Sequence, residues 1–268
     1  MTAPVYIAPA AAAVAPGERV TLTGEEGHHA ATVRRTRLDD ALDLIDGKGH
    51  RARCLVVGAK KSELELEVRE VFTEEAPALR VTVVQALAKG GRDEQAVETS
   101  TEFGAMAFLP WESQRTIVSW KNKEEKGRNR WQATAKAATK QSRRSWIPTV
   151  ENLHSSRQLA ARVKSLVEEG GYAYLCHEEA AHSLVQEINE SSLPKNAEVW
   201  FLIGPEGGVS PDEVELLTQV GARAVLLGAH VLRSATAGAY ALATLAALSE
   251  RYEASCEENP QFILRDND

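Results

Sequence analysis

Hydrophobic and polar positions change rhythm once along the chain. Up to about residue 73 they form short β-like segments: Val5 to Ala8, Arg19 to Leu22, Ala41 to Ile45, Arg51 to Val57, and the alternating Ser62-Glu-Leu-Glu-Leu-Glu-Val68. The turn signals between them, Pro16-Gly17, Asp46-Gly47 and Lys48-Gly49, are those of a small β-barrel or sandwich. Thr23 as N-cap with Glu26 three residues into the helix predicts a capping box. The short helix it opens carries His28 and His29 and leads to Arg34 and Arg35. Such a basic edge is either a grip on RNA or a solvated face over Ala30, Ala31 and Val33. Glu74 to Ala78, with Pro77, is the expected linker.

From Leu79 onward apolar runs alternate with longer amphipathic stretches, the βαβ pattern of a mostly parallel sheet. Strands are expected at Val81 to Ala88, Ala105 to Leu109, Tyr172 to Cys176, Val199 to Ile203 and Ala224 to Leu227. Helices are expected at Arg92 to Phe103, Asn129 to Arg144, Ser156 to Glu168, Glu178 to Glu190, Pro211 to Val220 and Ala235 to Tyr252. The boundaries that follow are 1–73 for the β domain, 79–254 for the α/β domain and 255–268 for an acidic tail.

Composition narrows the class. With 43% hydrophobic and 26% charged residues in 268, the chain has the balance of a globular protein, which excludes wholesale disorder. No apolar run reaches the ~18 residues that span a bilayer, so no membrane partner is expected. The N-terminus lacks a basic leader and is broken by Pro4, Pro9 and Pro16, which reads as cytoplasmic rather than secreted. Cys54, Cys176 and Cys256 are too far apart for a Cys-x-x-Cys motif, so neither a metal nor a disulfide is expected. The net charge of −7 argues against a nucleic-acid partner until its distribution is read. Ser113 to Pro148 holds ten Lys and Arg against Glu124 and Glu125 alone, a basic island in an acidic protein. Trp111, Trp120, Trp131 and Trp146 sit around it, either as stacking platforms for bases or as core anchors.

In an open α/β sheet, ligands bind beyond the carboxyl ends of the strands. Three of the turns there are unusual. Leu175-Cys176-His177-Glu178 closes one strand. Ile203 leads into Gly204-Pro205-Glu206-Gly207-Gly208, then Ser210-Pro-Asp-Glu213, a second capping box with Pro at the first helical position. Leu227-Gly228 leads through Val231, Leu232, Arg233, Ser234 and Thr236 into a helix of small residues. That helix is either tightly buried or pressed against a partner subunit. The first α/β strand ends instead in Ala88-Lys89-Gly90-Gly91-Arg92, with no G-x-G-x-x-G; no G-x-S-x-G elbow or phosphate loop occurs either. Dinucleotide, hydrolase and NTPase readings therefore lose support.

Taken together, these segments resemble one family, the bacterial 16S ribosomal RNA uridine N3-methyltransferases of the knotted SPOUT superfamily. The resemblance rests on His28-His29 with Val33-Arg34, Asp46-Gly-Lys-Gly49, Lys89, Arg92, Glu94 and Glu102-Phe-Gly104. It continues through Arg115 to Trp120, Gln141-Ser-Arg-Arg144 with Ile147-Pro148, Ile203 to Gly208, and Leu227-Gly228 with Val231-Leu-Arg233. It implies a PUA-like β-barrel followed by a SPOUT α/β domain with a C-terminal deep trefoil knot, working as a homodimer. It implies S-adenosylmethionine bent in the knot against Leu175 to Glu178, Ile203 to Gly208 and Leu227 to Thr236. The implied partner is 16S ribosomal RNA or the small ribosomal subunit, gripped by His28, His29, Arg34, Arg35, Lys89, Arg92, Arg115, Gln141, Arg143 and Arg144.

Methylation at uracil N3 removes a proton and spreads charge onto O2 and O4, which a guanidinium stabilises; Arg233 and Arg143 are the candidates for this catalytic role. The chain departs from the family at Ala235 and at Lys140, where relatives commonly carry glutamate, so no carboxylate base is available from either position. The alternatives are a related knotted methyltransferase with another target, such as a ribose 2′-hydroxyl, and a non-enzymatic RNA-binding protein. Cofactor binding and product analysis separate them.

Overall fold

The structure, a computed structural model, describes residues 3–194 and 196–248. Cys256, the acidic tail and the last residues of the expected C-terminal helix lie outside the described residues. The chain packs as two units, residues 1–76 with 135–148, and residues 77–134 with 149 onward.

In the first unit, strands β1 (Val5–Ile7), β2 (Arg19–Leu22), β3 (Ala41–Ile45), β4 (His50–Lys60) and β5 (Glu63–Thr73) form one sheet in the order β1-β3-β4-β5-β2. The β4–β5 hairpin dominates it. The alternation along β5 works as expected, with Leu64, Leu66 and Val68 buried beside Leu42, Leu44, Ala52 and Val56 while the intervening glutamates face outward. Register shifts at Arg53/Cys54 and Val56/Gly58 mark bulges, which bend the long hairpin round this core.

Helix α1 (Gly24–His28) follows β2 and runs into a π-helical turn, His29–Val33. The expected Thr23–Glu26 capping box does not form, because the Thr23 side chain makes no cap hydrogen bond. Glu26 instead accepts from Lys140 Nζ at 2.8 and 2.9 Å, and a charged partner outcompetes a backbone amide.

Residues 135–148 pack with this unit through polar anchors as well as apolar ones. Arg51, almost fully buried, donates to Asp43 Oδ2 at 3.0 Å, to Ser145 Oγ at 3.0 Å and to the Arg143 carbonyl. The Trp146 indole donates to the Glu74 carbonyl at 3.0 Å. A Cβ on Gly49 would lie 2.5 Å from that same carbonyl and 2.8 Å from the Trp146 ring, so only glycine fits the turn. The β unit is thus discontinuous in sequence, a feature that the linear boundaries 1–73 and 79–254 do not contain.

The second unit is built on a sheet of eight strands among the described residues, and each pair of neighbouring strands runs parallel. Its elements are β6 (Arg80–Ala86), α2 (Arg92–Glu102), β7 (Ala107–Glu112), α3 (Glu124–Ser142), β8 (Thr149–Val150), β9 (His154–Ser155) and α4 (Ser156–Glu168). They continue with β10 (Tyr172–Cys176), β11 (His182–Ser183), α5 (Leu184–Ser191), β12 (Glu198–Ile203), α6 (Pro211–Gln219), β13 (Arg223–Leu226) and α7 (Ser234–Leu248). The order is β11-β13-β10-β12-β6-β7-β8, with β9 also on β7.

Several expectations shift. Helix α5 starts at Leu184, not Glu178, because Ser183 and Gln186 form its capping box. Helix α3 starts five residues early, at Glu124, and its eight C-terminal residues belong to the first unit. Trp111, Trp120 and Trp131 are buried, and the last two meet edge to face at 5.1 Å. They are core anchors and are not placed to stack on bases; Trp146 is half-buried and held by its indole. Helix α7 is small because it is buried within its own unit: Ser234, Ala235, Ala237, Gly238, Ala241, Leu242 and Leu245 all lie inward.

Candidate cofactor-binding site

Strand order brings the unusual turns together. Strands β13, β10 and β12 are neighbours and parallel, so the turns that follow Leu226, Cys176 and Ile203 emerge side by side at one edge of the sheet. They enclose a cavity of about 1290 Å³ lined by residues 176–179, 203–209 and 226–234, one face of α6, and the arginines Arg92 and Arg115. All of these belong to the second unit.

The glycine turn is shaped by its backbone. Gly208 donates its amide to the Pro205 carbonyl at 2.9 Å and sits at φ +73°, a left-handed conformation that favours glycine. A Cβ on Gly207 would lie 3.3 Å from both Cβ and O of Arg115, and one on Gly204 would lie 2.7 Å from Val209 Cγ2. Arg115 Nη1 donates to the Gly207 carbonyl at 3.2 Å, and Arg92 Nη1 pairs with Glu206 at 3.0 Å.

Behind the turn, Ser210 caps α6 in the expected box with Glu213. Glu213, fully buried, also accepts the Gln114 amide at 2.8 Å and the Ser156 hydroxyl. That one carboxylate fixes the start of α6 to the segment that bears Arg115.

The other two turns are held as firmly. His177 donates its amide to Val225 at 3.0 Å, and its Nδ1 accepts from the Glu179 amide at 3.2 Å. Burial pushes the Cys176 thiol up to about 12, which makes it a neutral part of the cavity wall. Ser234 donates to the Gly204 carbonyl at 2.7 Å and thereby joins the third turn to the second.

Of the residues expected around a cofactor, Cys176, His177, Glu178, Ile203 to Gly208, Leu227, Gly228 and Val231 to Ser234 line the cavity. Leu175 does not, being buried in β10, and neither does Thr236, which is exposed on α7. Arg92 and Arg115, expected as RNA contacts, also line it. Lys89 is exposed in the turn after β6.

The remaining expected RNA residues belong to the first unit: His28, Arg34, Arg35, Gln141 and Arg143 are exposed, and His29 and Arg144 are half-buried. Arg35 and Arg143 have φ of +53° and +58°. The α6 face formed by Val214, Glu215 and Thr218 carried no signal in the sequence, since nothing local marks which side of a helix borders a cavity. Among the described residues, no group of three His, Cys, Asp or Glu converges as metal ligands.

The cavity suits a cationic nucleoside. Glycine carbonyls and amides offer fixed hydrogen-bonding groups, Ile203, Leu226, Leu227 and Val231 offer apolar walls, Glu178, Glu179 and Glu215 complement positive charge, and Arg115 and Arg233 complement a carboxylate. S-adenosylmethionine, which carries a sulfonium and an ammonium, fits these residues.

Comparison with known proteins agrees with this geometry. The RNA methyltransferase domain family matches residues 74–246, and the RNA methyltransferase PUA domain matches residues 22–69. Ribosomal RNA small subunit methyltransferase E of Mycobacterium tuberculosis is 41% identical over 245 residues, covering 90% of this chain and 91% of the relative. Its Bacillus subtilis namesake is 33% identical over 238 residues, covering 86% and 90%.

Among solved structures, a ribosomal RNA small subunit methyltransferase E from Neisseria gonorrhoeae bound to S-adenosyl methionine superposes with a TM-score of 0.80 at 27% identity, covering 92% of this chain and 98% of that one. A putative methyltransferase from Legionella pneumophila in complex with the same cofactor gives 0.78 at 25% identity, with the same coverage. The chain belongs to the ribosomal RNA small subunit methyltransferase E family, in which an RNA methyltransferase domain follows a PUA domain.

Proposed function

We propose that this protein transfers a methyl group from S-adenosylmethionine to N3 of a uridine in 16S ribosomal RNA of the small ribosomal subunit, as a cytoplasmic homodimer. The observation that carries the reading is the convergence of three turns from adjacent parallel strands on one cavity with Arg92, Arg115 and Arg233 among its lining residues. In this reading the last turn, 227–236, is the threaded segment of the trefoil knot.

S-adenosylmethionine, when bound, supplies an electrophilic methyl carbon on a sulfonium. The chain's own residues do the positioning. The glycine turn fixes backbone groups around the ligand, and the glutamates of the cavity favour its positive charge. The N3 proton passes to water, since positions 140 and 235 carry no carboxylate; the negative charge left on uracil O2 and O4 is stabilised by Arg233, with Arg143 as second candidate. N3 is engaged when uridine is paired, so the target is unpaired or flipped out. His28, His29, Arg34, Arg35, Lys89, Gln141, Arg143 and Arg144 are assigned to the RNA, where most contacts of this kind go to phosphate.

Calorimetric titration with S-adenosylmethionine tests the site, with Gly207→Trp as the variant. A Cβ at that position lies 3.3 Å from Cβ and O of Arg115, so an indole crowds the turn that lines the cavity. Binding by wild type and its loss in a folded variant is the expected result; equal binding by both would place the ligand elsewhere. Mass spectrometry of nucleosides from methylated 16S RNA then separates N3-methyluridine from a ribose-methylated product.

A further inference from the structure

We infer that Gln85 is a positioning residue for the cofactor cavity, acting through Ser234 to hold the glycine turn and the last turn together; the inference rests on that cavity being the cofactor site. Gln85 lies near the carboxyl end of β6, opposite Ile203 of β12, and is fully buried. Its neighbours along the strand are Val81, Val83, Val84 and Ala86, so an amide here is out of place unless its groups are used.

The hydrogen bonds are directional. Gln85 Nε2 donates to Ser234 Oγ at 2.8 Å and to the Ala86 carbonyl at 3.1 Å. With an N–H already pointed at it, the Ser234 hydroxyl turns its single proton to the Gly204 carbonyl at 2.7 Å. The chain amide to hydroxyl to carbonyl therefore runs one way, and each link strengthens the next. It begins in a central strand and ends on the first residue of the glycine turn, with Ser234, where the third turn enters α7, between them.

The Gln85 carbonyl oxygen supports this reading. It is buried and has no hydrogen-bond partner among the described residues. Turning the amide over would set that oxygen against the Ala86 carbonyl, so the observed orientation is forced. The residue is thus held for its N–H groups, at the expense of an unsatisfied acceptor that a leucine would not carry. Gln85 is not among the residues that line the cavity and does not itself reach a ligand there.

Helix packing sets the reach. One helical turn beyond Ser234, a Cβ on Gly238 would lie 3.2 Å from Val83 Cγ1 and 2.9 Å from Ser100 Oγ. The missing side chain lets α7 lie close enough on β6 for a serine to span the gap.

The test uses S-adenosylmethionine titration and thermal melts of the full chain. Ser234→Ala is expected to weaken binding about tenfold, equivalent to about 1.4 kcal/mol, and Gln85→Leu several-fold. The double variant is expected to bind no worse than Ser234→Ala, because both remove one chain of hydrogen bonds. Ser234→Thr, which keeps the hydroxyl, is expected to restore binding. Leu166→Ala, a buried residue of α4 outside both the relay and the cavity lining, is expected to lower the melting temperature and leave affinity unchanged, which separates positioning from general loosening. Wild-type binding with both single variants within twofold of it overturns the relay, as do single effects that multiply in the double variant. A wild type that binds no S-adenosylmethionine overturns the cofactor reading and the relay with it.

Discussion

Replacing Asp43 by alanine isolates one buried charge and asks what it holds. Asp43 and Arg51 face each other at 3.0 Å with side chains only 6% and 3% exposed, and Arg53 Nε stands 3.6 Å from the other carboxylate oxygen. Without the carboxylate, Arg51 loses the charged partner it meets at 3.0 Å, and the Ser145 hydroxyl and the Arg143 carbonyl that it also binds are neutral. Breaking a buried pair in this way costs about 3–5 kcal/mol, a large part of the 5–15 kcal/mol that holds a typical domain together. Replacing both residues, as Asp43→Leu with Arg51→Leu, removes the stranded charge and is expected to recover most of that loss.

Hydrogen exchange of the β3, β4 and β5 amides reports the first unit separately from the second, which a single melting curve does not. The same variant is expected to weaken RNA binding, since Arg143 and Arg144 sit on the segment that Arg51 anchors. S-adenosylmethionine affinity is expected to stay within twofold of wild type, because every residue lining the cavity belongs to the other unit. A loss below about 1 kcal/mol, or a double leucine variant as unstable as Asp43→Ala, would refute the reasoning, since a stranded buried charge is costly.

Three further outcomes are expected. Gly238→Ala gains about 1 kcal/mol in helix propensity but forces a methyl against Val83 and Ser100, an overpacking that costs about 1–3 kcal/mol; urea denaturation should show a net loss, and a gain would mean that α7 has room for a methyl over β6. Asp46 is opposed by burial, yet the amides of Lys48 and His50 and the His50 ring hold its carboxyl below its ordinary value of 3.8. Its contribution is therefore complete above pH 3.8 and fades as pH falls through the lowered value, so stability curves of wild type and Asp46→Ala should differ at neutral pH and converge in strong acid. Arg143→Gly removes a charge and relieves a left-handed φ of +58°. The fold should persist, RNA affinity should fall, and the dependence of binding on log salt should flatten by about one unit; unchanged affinity would take Arg143 out of the interface.

What could be read in the sequence was what neighbours in the chain decide. Tyr172–Cys176 and Ser156–Glu168 have the extents expected from periodicity, and the Ser210–Glu213 box forms as its spacing implied. The glycine turns were legible because their composition is local. Where a distant residue competes, the local signal loses: Thr23 and Glu26 have the spacing of a cap, but Lys140 lies 114 positions away and takes the carboxylate. The tryptophans of the basic island gave no sign of their burial, because their partners, such as Asp93 for Trp131, come from another part of the chain. Gln85 was invisible for the same reason, its partner Ser234 being 149 positions away.

The discontinuity of the first unit bears on how the protein is made. Residues 1–76 leave the ribosome before the 135–148 segment that completes their packing, including the Ser145 and Trp146 partners of Arg51 and Glu74. At about 5–20 residues per second the wait between residue 76 and residue 148 is roughly 4–14 s. During it the Arg51 guanidinium lacks its Ser145 and Arg143 acceptors, and the β4–β5 hairpin has only its own sheet to stabilise it. A chain cut after residue 76 would remain in that state permanently. Excision of the β unit for separate study therefore requires the later segment, residues 135–148, to be supplied with it.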